Sequence, residues 1–155
     1  MTAIQVLIVD VYVLRQTPGA LQVLCLRRAP GTRCAGTWET VHGHIQDGEK
    51  PVDAALRELK EETGLAAERL YNVSRVEAFY LHKSDTVALI PVFAALVPAR
   101  SEVTWSDEHD AAEWLQLGAA AGRMAWPREG RALADIAVLF GAGDAGGMED
   151  VLRIR

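Results

Sequence analysis

At 155 residues, half of them apolar and about a quarter charged, the chain is long enough for one domain with a sizeable core. A net charge of −5 leaves no basic footprint for duplex DNA or RNA, and no stretch is long and apolar enough to span a bilayer. The expected partner is therefore a small molecule, with neither a nucleic-acid polymer nor a membrane involved. Two cysteines, Cys25 in an apolar run and Cys34 in a loop-like stretch, form no CxxC pair. With no positive n-region or small-residue cleavage site near Met1, they point to a reduced, cytoplasmic setting.

In chain order, residues 4–14 (IQVLIVDVYVL) predict a long strand rich in Val and Ile, and Pro18–Gly19 turn the chain into a partner strand over 21–28. A loop with Pro30, Gly31 and Gly36 leads into a short strand in TWETV. Pro51 suits the first position of a helix, and Val52, Ala55, Leu56 and Leu59 repeat at helical spacing. Gly64 is placed to end that helix in a left-handed C′ conformation. Strands follow over 70–82 and 86–97, with Pro91 marking a bulge or an edge in the second. Residues 109–117 carry a short strand around Glu113–Leu115, and 118–124 and 128–140 read as helices. The break at GAGDAGG divides a single domain, 1–140, from a loosely docked C-terminal tail, 141–155. The whole is an α+β fold with helices flanking a mixed sheet.

The segment GHIQDGEKPVDAALRELKEETGL, 43–65, poses an electrostatic problem. Glu58 and Glu61 are i,i+3 neighbours and Glu58 and Glu62 are i,i+4, so three carboxylates converge on the side of the helix away from its apolar stripe. Arg57 and Lys60 cannot neutralise all three at close range. Glu49 can reach Arg57 or cap the free N–H groups of the first turn. A hard divalent cation, taking a few carboxylates plus substrate phosphates, would cancel the charge.

The same segment resembles the signature of the Nudix hydrolases, Gly-x5-Glu-x7-Arg-Glu-U-x-Glu-Glu-x-Gly-U with U a bulky aliphatic residue. It matches at Gly43, Glu49, Arg57, Glu58, Leu59, Glu61, Glu62, Gly64 and Leu65, and such a fixed-spacing match makes a merely solvated acidic face a poor account of the helix. The resemblance implies a Nudix fold, a mixed sheet sandwiched between the box helix and a C-terminal helix. It also implies a Mg²⁺-dependent pyrophosphohydrolase, with Mn²⁺ as the alternative ion. Glu58, Glu61 and Glu62 would be ligands, Arg57 would orient Glu58, and Glu49 would hold Arg57. Gly43 and Gly64 would support the site. Where many members have Pro-Gly-Gly, this chain has Val41–His42–Gly43. His42 can still offer the backbone carbonyl that commonly ligates metal. Either Glu58 or a distal glutamate serves as base in the family, and Glu108 is the distal candidate and a further ligand.

The box does not select a substrate. Tyr80 stands where ADP-ribose-type members carry Pro, and Lys83 or a neighbour where dinucleoside-polyphosphate types carry Tyr. The pattern from Glu108–His109 through Trp114–Leu115 to Trp126 is similar to the branch that hydrolyses dihydroneopterin triphosphate and dATP. A nucleoside or pterin triphosphate is thus the expected substrate, cleaved to a monophosphate and pyrophosphate. Clean-up of oxidised nucleotides and a silent nucleotide-binding sensor are the alternatives. An acidic chain with no basic arm disfavours RNA ends. Arg28, Trp38 and Tyr80 are the candidate substrate contacts, although Trp38 also suits strand packing and only one of Arg27 and Arg28 can face the phosphates. Phe79 and Tyr80 alternate, so one is expected in the core and the other in the cleft. The sequence leaves the oligomeric state open, a homodimer included.

Overall fold

The computed structural model describes residues 1–155. The expected first strand is two strands, β1 (Ala3–Val6) and β2 (Ile8–Thr17), followed by β3 (Ala20–Arg28), β4 (Trp38–Glu39) and β5 (Val41–His44). Helix α1 (Pro51–Thr63) leads to β6 (Arg69–Leu81), β7 (Thr86–Leu96) and β8 (His109–Gln116). Then come α2 (Leu117–Arg123), α3 (Pro127–Phe140), a 3₁₀ turn (Gly146–Met148) and the single-turn α4 (Glu149–Leu152). No helix is long and apolar enough to cross a membrane.

The split of the first strand is explained by β7. One edge of β7 pairs in parallel with β1 through Thr86–Leu89 and then with β2 through Val92–Leu96, while β6 runs antiparallel along the other edge. Pro91, which has no N–H to offer, stands at the seam between these two partners and opposite Val76, where the β6 register shifts.

A second seam positions the functional site. β2 pairs antiparallel with β3 from Leu14 to Thr17, and toward its start it pairs instead with β5. Strand β3, leaving β2, pairs with β4 on that side and with β8 on its other edge. Thr40, between β4 and β5, therefore lies where the sheet divides. It is buried, its hydroxyl donates to the Val11 carbonyl at 2.6 Å, and its N–H donates to Glu129 at 2.7 Å.

Alternation then assigns each face. Val9, Val11, Val13, Leu24, Leu26, Val41, Phe93 and Ala95 pack with Ala54, Ala55 and Leu59 of α1. Tyr12, Leu14, Val23, Cys25, Val92 and Ala94 pack with Leu133, Ile136 and Phe140 of α3. The sheet is sandwiched between the two helices, as the α+β expectation requires.

The C-terminal segment differs from the loosely docked tail anticipated above. Leu152 and Ala145 are buried in the α3-side core, Tyr71 donates to Glu149 at 2.7 Å, and the Ile154 N–H donates to the Leu70 carbonyl at 2.8 Å. Glycine punctuation suggested a loose end, but it only turns the chain back onto β6. Leu152→Ala is expected to lower unfolding free energy by about 2–4 kcal/mol, measured by urea denaturation; a change below about 0.5 kcal/mol would show the segment to be energetically detached.

Candidate active site

The N-terminus of α1 has no side-chain cap: Lys50 is extended and Pro51 removes one orphan donor. Its end is closed by Gly64 at φ +71°, whose N–H donates to the Lys60 carbonyl at 2.9 Å. A side chain at Gly64 would also meet Thr104 Oγ1 at 2.3 Å, so glycine is required twice over.

Between those ends the guanidinium of Arg57 uses all five of its N–H donors. Nε and Nη2 clamp Glu49 at 2.8 and 2.9 Å, and Nη2 also reaches the His44 carbonyl at 2.8 Å. Nη1 donates to Glu58 at 2.7 Å and to Glu61 at 3.1 Å. Of the two roles open to Glu49, the structure shows it holding Arg57 and accepting the Gln46 N–H at 2.9 Å, with no contact to the first turn. Arg57 pushes the Glu49 carboxyl down to about 2. Burial raises Glu58 above the usual carboxylate range, with Arg57 opposing and Glu61 and Glu108 reinforcing.

Gly43 lies directly beneath Glu58. A Cβ there would stand 2.0 Å from Glu58 Cδ, so the carboxylate occupies the space a side chain would need.

Glu62 departs from the sequence reading, which grouped it with the carboxylates facing away from the apolar stripe. It is 3% exposed. At i+7 from Ala55 and i+3 from Leu59 it falls on the buried stripe itself, so helical periodicity carries it inward. Its Oε2 is buried and has no hydrogen-bond partner. Burial, then Glu58, Glu39 and Glu108, push its carboxyl up to about 9. Glu61, by contrast, is 56% exposed at its side chain.

Glu108 sits just before β8, its side chain 60% exposed and its Oε2 3.6 Å from Arg28 Nη1. Arg28 is the one expected substrate contact that stands among the carboxylates, and it is already engaged with Glu39 at 3.3 Å and the Arg33 carbonyl at 2.9 Å. Trp38 is on the opposite face of the sheet from Glu39. There it packs against the α3-side core, with the guanidinium of Arg123 5.0 Å from its ring centre. Tyr80 donates to Asp85 at 2.9 Å in the β6–β7 turn, away from the carboxylates. Neither Phe79 nor Tyr80 enters the core: both are exposed near the β6–β7 turn, and Phe79 meets Trp126 edge-on at 6.1 Å.

The His42 side chain shares the α3 face with its cross-strand partner Asp10, its Nδ1 2.6 Å from Asp10 Oδ1, while Arg128 donates to Asp10 Oδ2 at 2.9 Å. Four residues of these clusters were given no role from the sequence: Glu39, His109, Asp10 and Arg128. The available signal for Glu39 and Asp10 was an acid inside a strand, the kind of residue that must find a partner when buried.

No three side chains of His, Cys, Asp or Glu form a closed cage. The donor set nonetheless fits a hard cation that keeps waters and takes substrate oxygens: Glu62 is buried with its Oε2 unpartnered, Glu58 and Glu108 raise its proton affinity, and all the side-chain donors are carboxylates.

A family model of the NUDIX domain matches residues 5–136. The chain is 37% identical over 105 residues to an octanoyltransferase of Myxococcus xanthus, covering 66% of this chain and 29% of that protein. It is 34% identical over 82 residues to the asymmetrical bis(5'-nucleosyl)-tetraphosphatase of Mus musculus, covering 52% and 56%. Among solved structures, the E. coli dihydroneopterin triphosphate pyrophosphohydrolase superposes with a TM-score of 0.66 at 25% identity, over 84% of this chain and 94% of that one. The chain thus spans about a third to a half of the length of these two curated relatives. It belongs to the Nudix family.

Two outcomes are expected. Gly43→Ala should displace Glu58 and lower kcat about 100-fold or more while circular dichroism stays native; unchanged turnover would show that the Gly43–Glu58 contact is dispensable. Glu62 binds its proton more tightly folded than unfolded, so metal-free protein should lose stability as pH rises from about 4.5 toward 9. Glu62→Gln lacks this loss and should be more stable than the parent at pH 8 in EDTA, on the order of 2 kcal/mol, with the gap closing below pH 5. Parallel pH–stability curves for the two proteins would contradict it.

Proposed function

We propose that this Nudix protein is a pyrophosphohydrolase that adds water across a diphosphate linkage of a nucleoside or pterin triphosphate, releasing the monophosphate and pyrophosphate. The observation that carries the reading is Glu62, a carboxylate held inside the fold with its Oε2 unpartnered and with like charges around it. Such a group is tolerable as an anion only when a cation completes the site.

Glu58, Glu62 and Glu108, with Glu61 at the rim and the His42 carbonyl, are the groups that would hold Mg²⁺, or Mn²⁺ in its place. When bound, the ion supplies a lowered pKa for water and charge neutralisation for diphosphate oxygens. The chain's own residues do the rest. Arg57 fixes Glu58 on α1 through a contact of 2.7 Å, and Glu49 prevents the guanidinium from swinging away. Glu58, raised in pKa by burial, or the exposed Glu108 accepts the proton of the attacking water, whose oxygen bonds to phosphorus as the bridging P–O bond breaks. Pyrophosphate leaves with the electron pair. Arg28, at the cleft side of β3, is placed to meet phosphate oxygens if it gives up Glu108.

A triphosphate is preferred because the order Glu108–His109, Trp114 and Trp126 is similar to the dihydroneopterin triphosphate branch, and a structure of that activity superposes over most of the chain. The tetraphosphatase relative keeps dinucleoside polyphosphates among the compounds to test.

Parent and Glu58→Gln would be assayed with Mg²⁺ on dihydroneopterin triphosphate, the common nucleoside triphosphates and their deoxy forms, 8-oxo-dGTP, ADP-ribose and diadenosine polyphosphates. One favoured triphosphate yielding pyrophosphate, with turnover reduced about 100-fold or more in Glu58→Gln, is the expected result. Binding without turnover on every compound would replace the hydrolase with a nucleotide sensor.

A further inference from the structure

Three adjacent strands, β4, β3 and β8, each place one polar side chain on the α1 face at the edge of the carboxylate site. Glu39 pairs with Leu26, two residues before Arg28, and His109 pairs with Arg28 itself. The last pairing depends on a register shift: Arg27 faces Ala111 while Arg28 faces His109, so Asp110 is an extra residue in β8. The bulge sends Asp110 to the other face, where it accepts from Arg27 at 2.7 Å, and turns the His109 ring under Arg28. His109 is buried, and so is Glu39.

All three side chains meet at one atom. Glu39 Oε1 accepts from Arg28 Nη1 at 3.3 Å and lies 3.1 Å from His109 Nε2. His109 Nδ1 is buried without a partner, so the ring is held only through Nε2. Both groups that Glu39 holds lead to Glu108. His109 is its chain neighbour, and the Ala29 N–H donates to the Glu108 carbonyl at 2.9 Å, so backbone direction there follows the β3–β8 pairing. Arg28 Nη1, the nitrogen bound to Glu39, is also the only cation within ion-pair reach of the exposed Glu108 carboxylate.

We propose that Glu39 is a positioning residue for Glu108: through Arg28 and His109 it fixes where the distal carboxylate stands relative to Glu58 and Glu62. A side chain needed only for packing would be neutral here, since a further negative charge beside Glu62 works against the fold. The negative charge does have a use toward Arg28, whose Nη1 it anchors within ion-pair reach of Glu108. The inference rests on the reading of Glu108 as ligand or base given above.

The test is a double-mutant cycle on Glu39→Gln and Glu108→Gln, read in two ways: kcat and KM for the favoured triphosphate, and Mn²⁺ affinity of the substrate-free protein by electron paramagnetic resonance. Glu39→Gln should lower kcat about 10- to 100-fold with KM little changed, and should weaken Mn²⁺ binding. The double variant should be no worse than Glu108→Gln alone on either measure. Losses that multiply, or a Glu39→Gln protein indistinguishable from the parent, overturn the proposal. If Glu39→Gln does not fold, Arg28→Gln breaks the same link from the cleft side and is read by the same cycle. Full activity and Mn²⁺ affinity in Glu108→Gln would remove the role of Glu108 and this inference with it. Should the parent itself turn over nothing, the hydrolase reading fails, and the Mn²⁺ cycle alone still decides whether Glu39 acts through Glu108.

Discussion

Arg57 ties three segments of chain together with a single planar group. Its donors end on the loop before α1, on the carbonyl of His44 at the end of β5, and on two carboxylates of its own helix. A lysine at that position could supply the charge but not the fork geometry, because an ammonium has three donors at one point. The helix that carries the acidic residues is therefore bolted to the strand that carries the His42 carbonyl. Relative placement of those two elements is what a cation bridging them would require.

This clamp also explains how so much negative charge is tolerated. Glu49 and Glu58 are neutralised locally by Arg57, which also reaches the more exposed Glu61 at 3.1 Å. Glu39 is shared by Arg28 and His109. Only Glu62 has no such arrangement, and it is the most buried of the group. The fold concentrates its unmet electrostatic demand on one carboxylate and satisfies the rest, a distribution typical of a site prepared for a ligand. The opposite face handles charge differently. There Asp10 is fully buried, yet His42 and Arg128 more than offset the effect of burial and hold it below the usual carboxylate range.

The box helix was legible to the residue, from Pro51 at its start to Gly64 at its end, because both boundaries are set by local backbone chemistry. The sandwich was legible because strand alternation and helical periodicity report burial directly. What the sequence did not show was set by long-range pairing. The break at Leu7 follows from β7 changing partners, and the docking of Leu152 and Glu149 depends on β6, some 80 residues earlier. Glu39 and His109 escaped notice for the same reason, since they are 70 residues apart and meet only across β3. Glu62 was misjudged on a local point: a charged residue was assumed to face water, although its phase on the helix put it inside. Trp38 and Tyr80 stood as candidate substrate contacts, Trp38 beside a strand-packing role that the structure gives it, because aromatic character carries no information about which face a strand residue takes.

That facing has a consequence for how such a chain can change. From Trp38 to Gly43 successive residues serve opposite layers: Trp38, Thr40 and His42 belong to the α3 side, and Glu39, Val41 and Gly43 to the α1 side. Adding or removing one residue within this run would exchange the two sets, driving Trp38 toward the carboxylates and pressing a side chain against Glu58. A change of length is tolerated outside this run, in the loop before Trp38, and not within it. The six residues must keep a fixed phase, with Thr40 and His42 anchored on the α3 side and Glu39 and Gly43 set against the acids on the other.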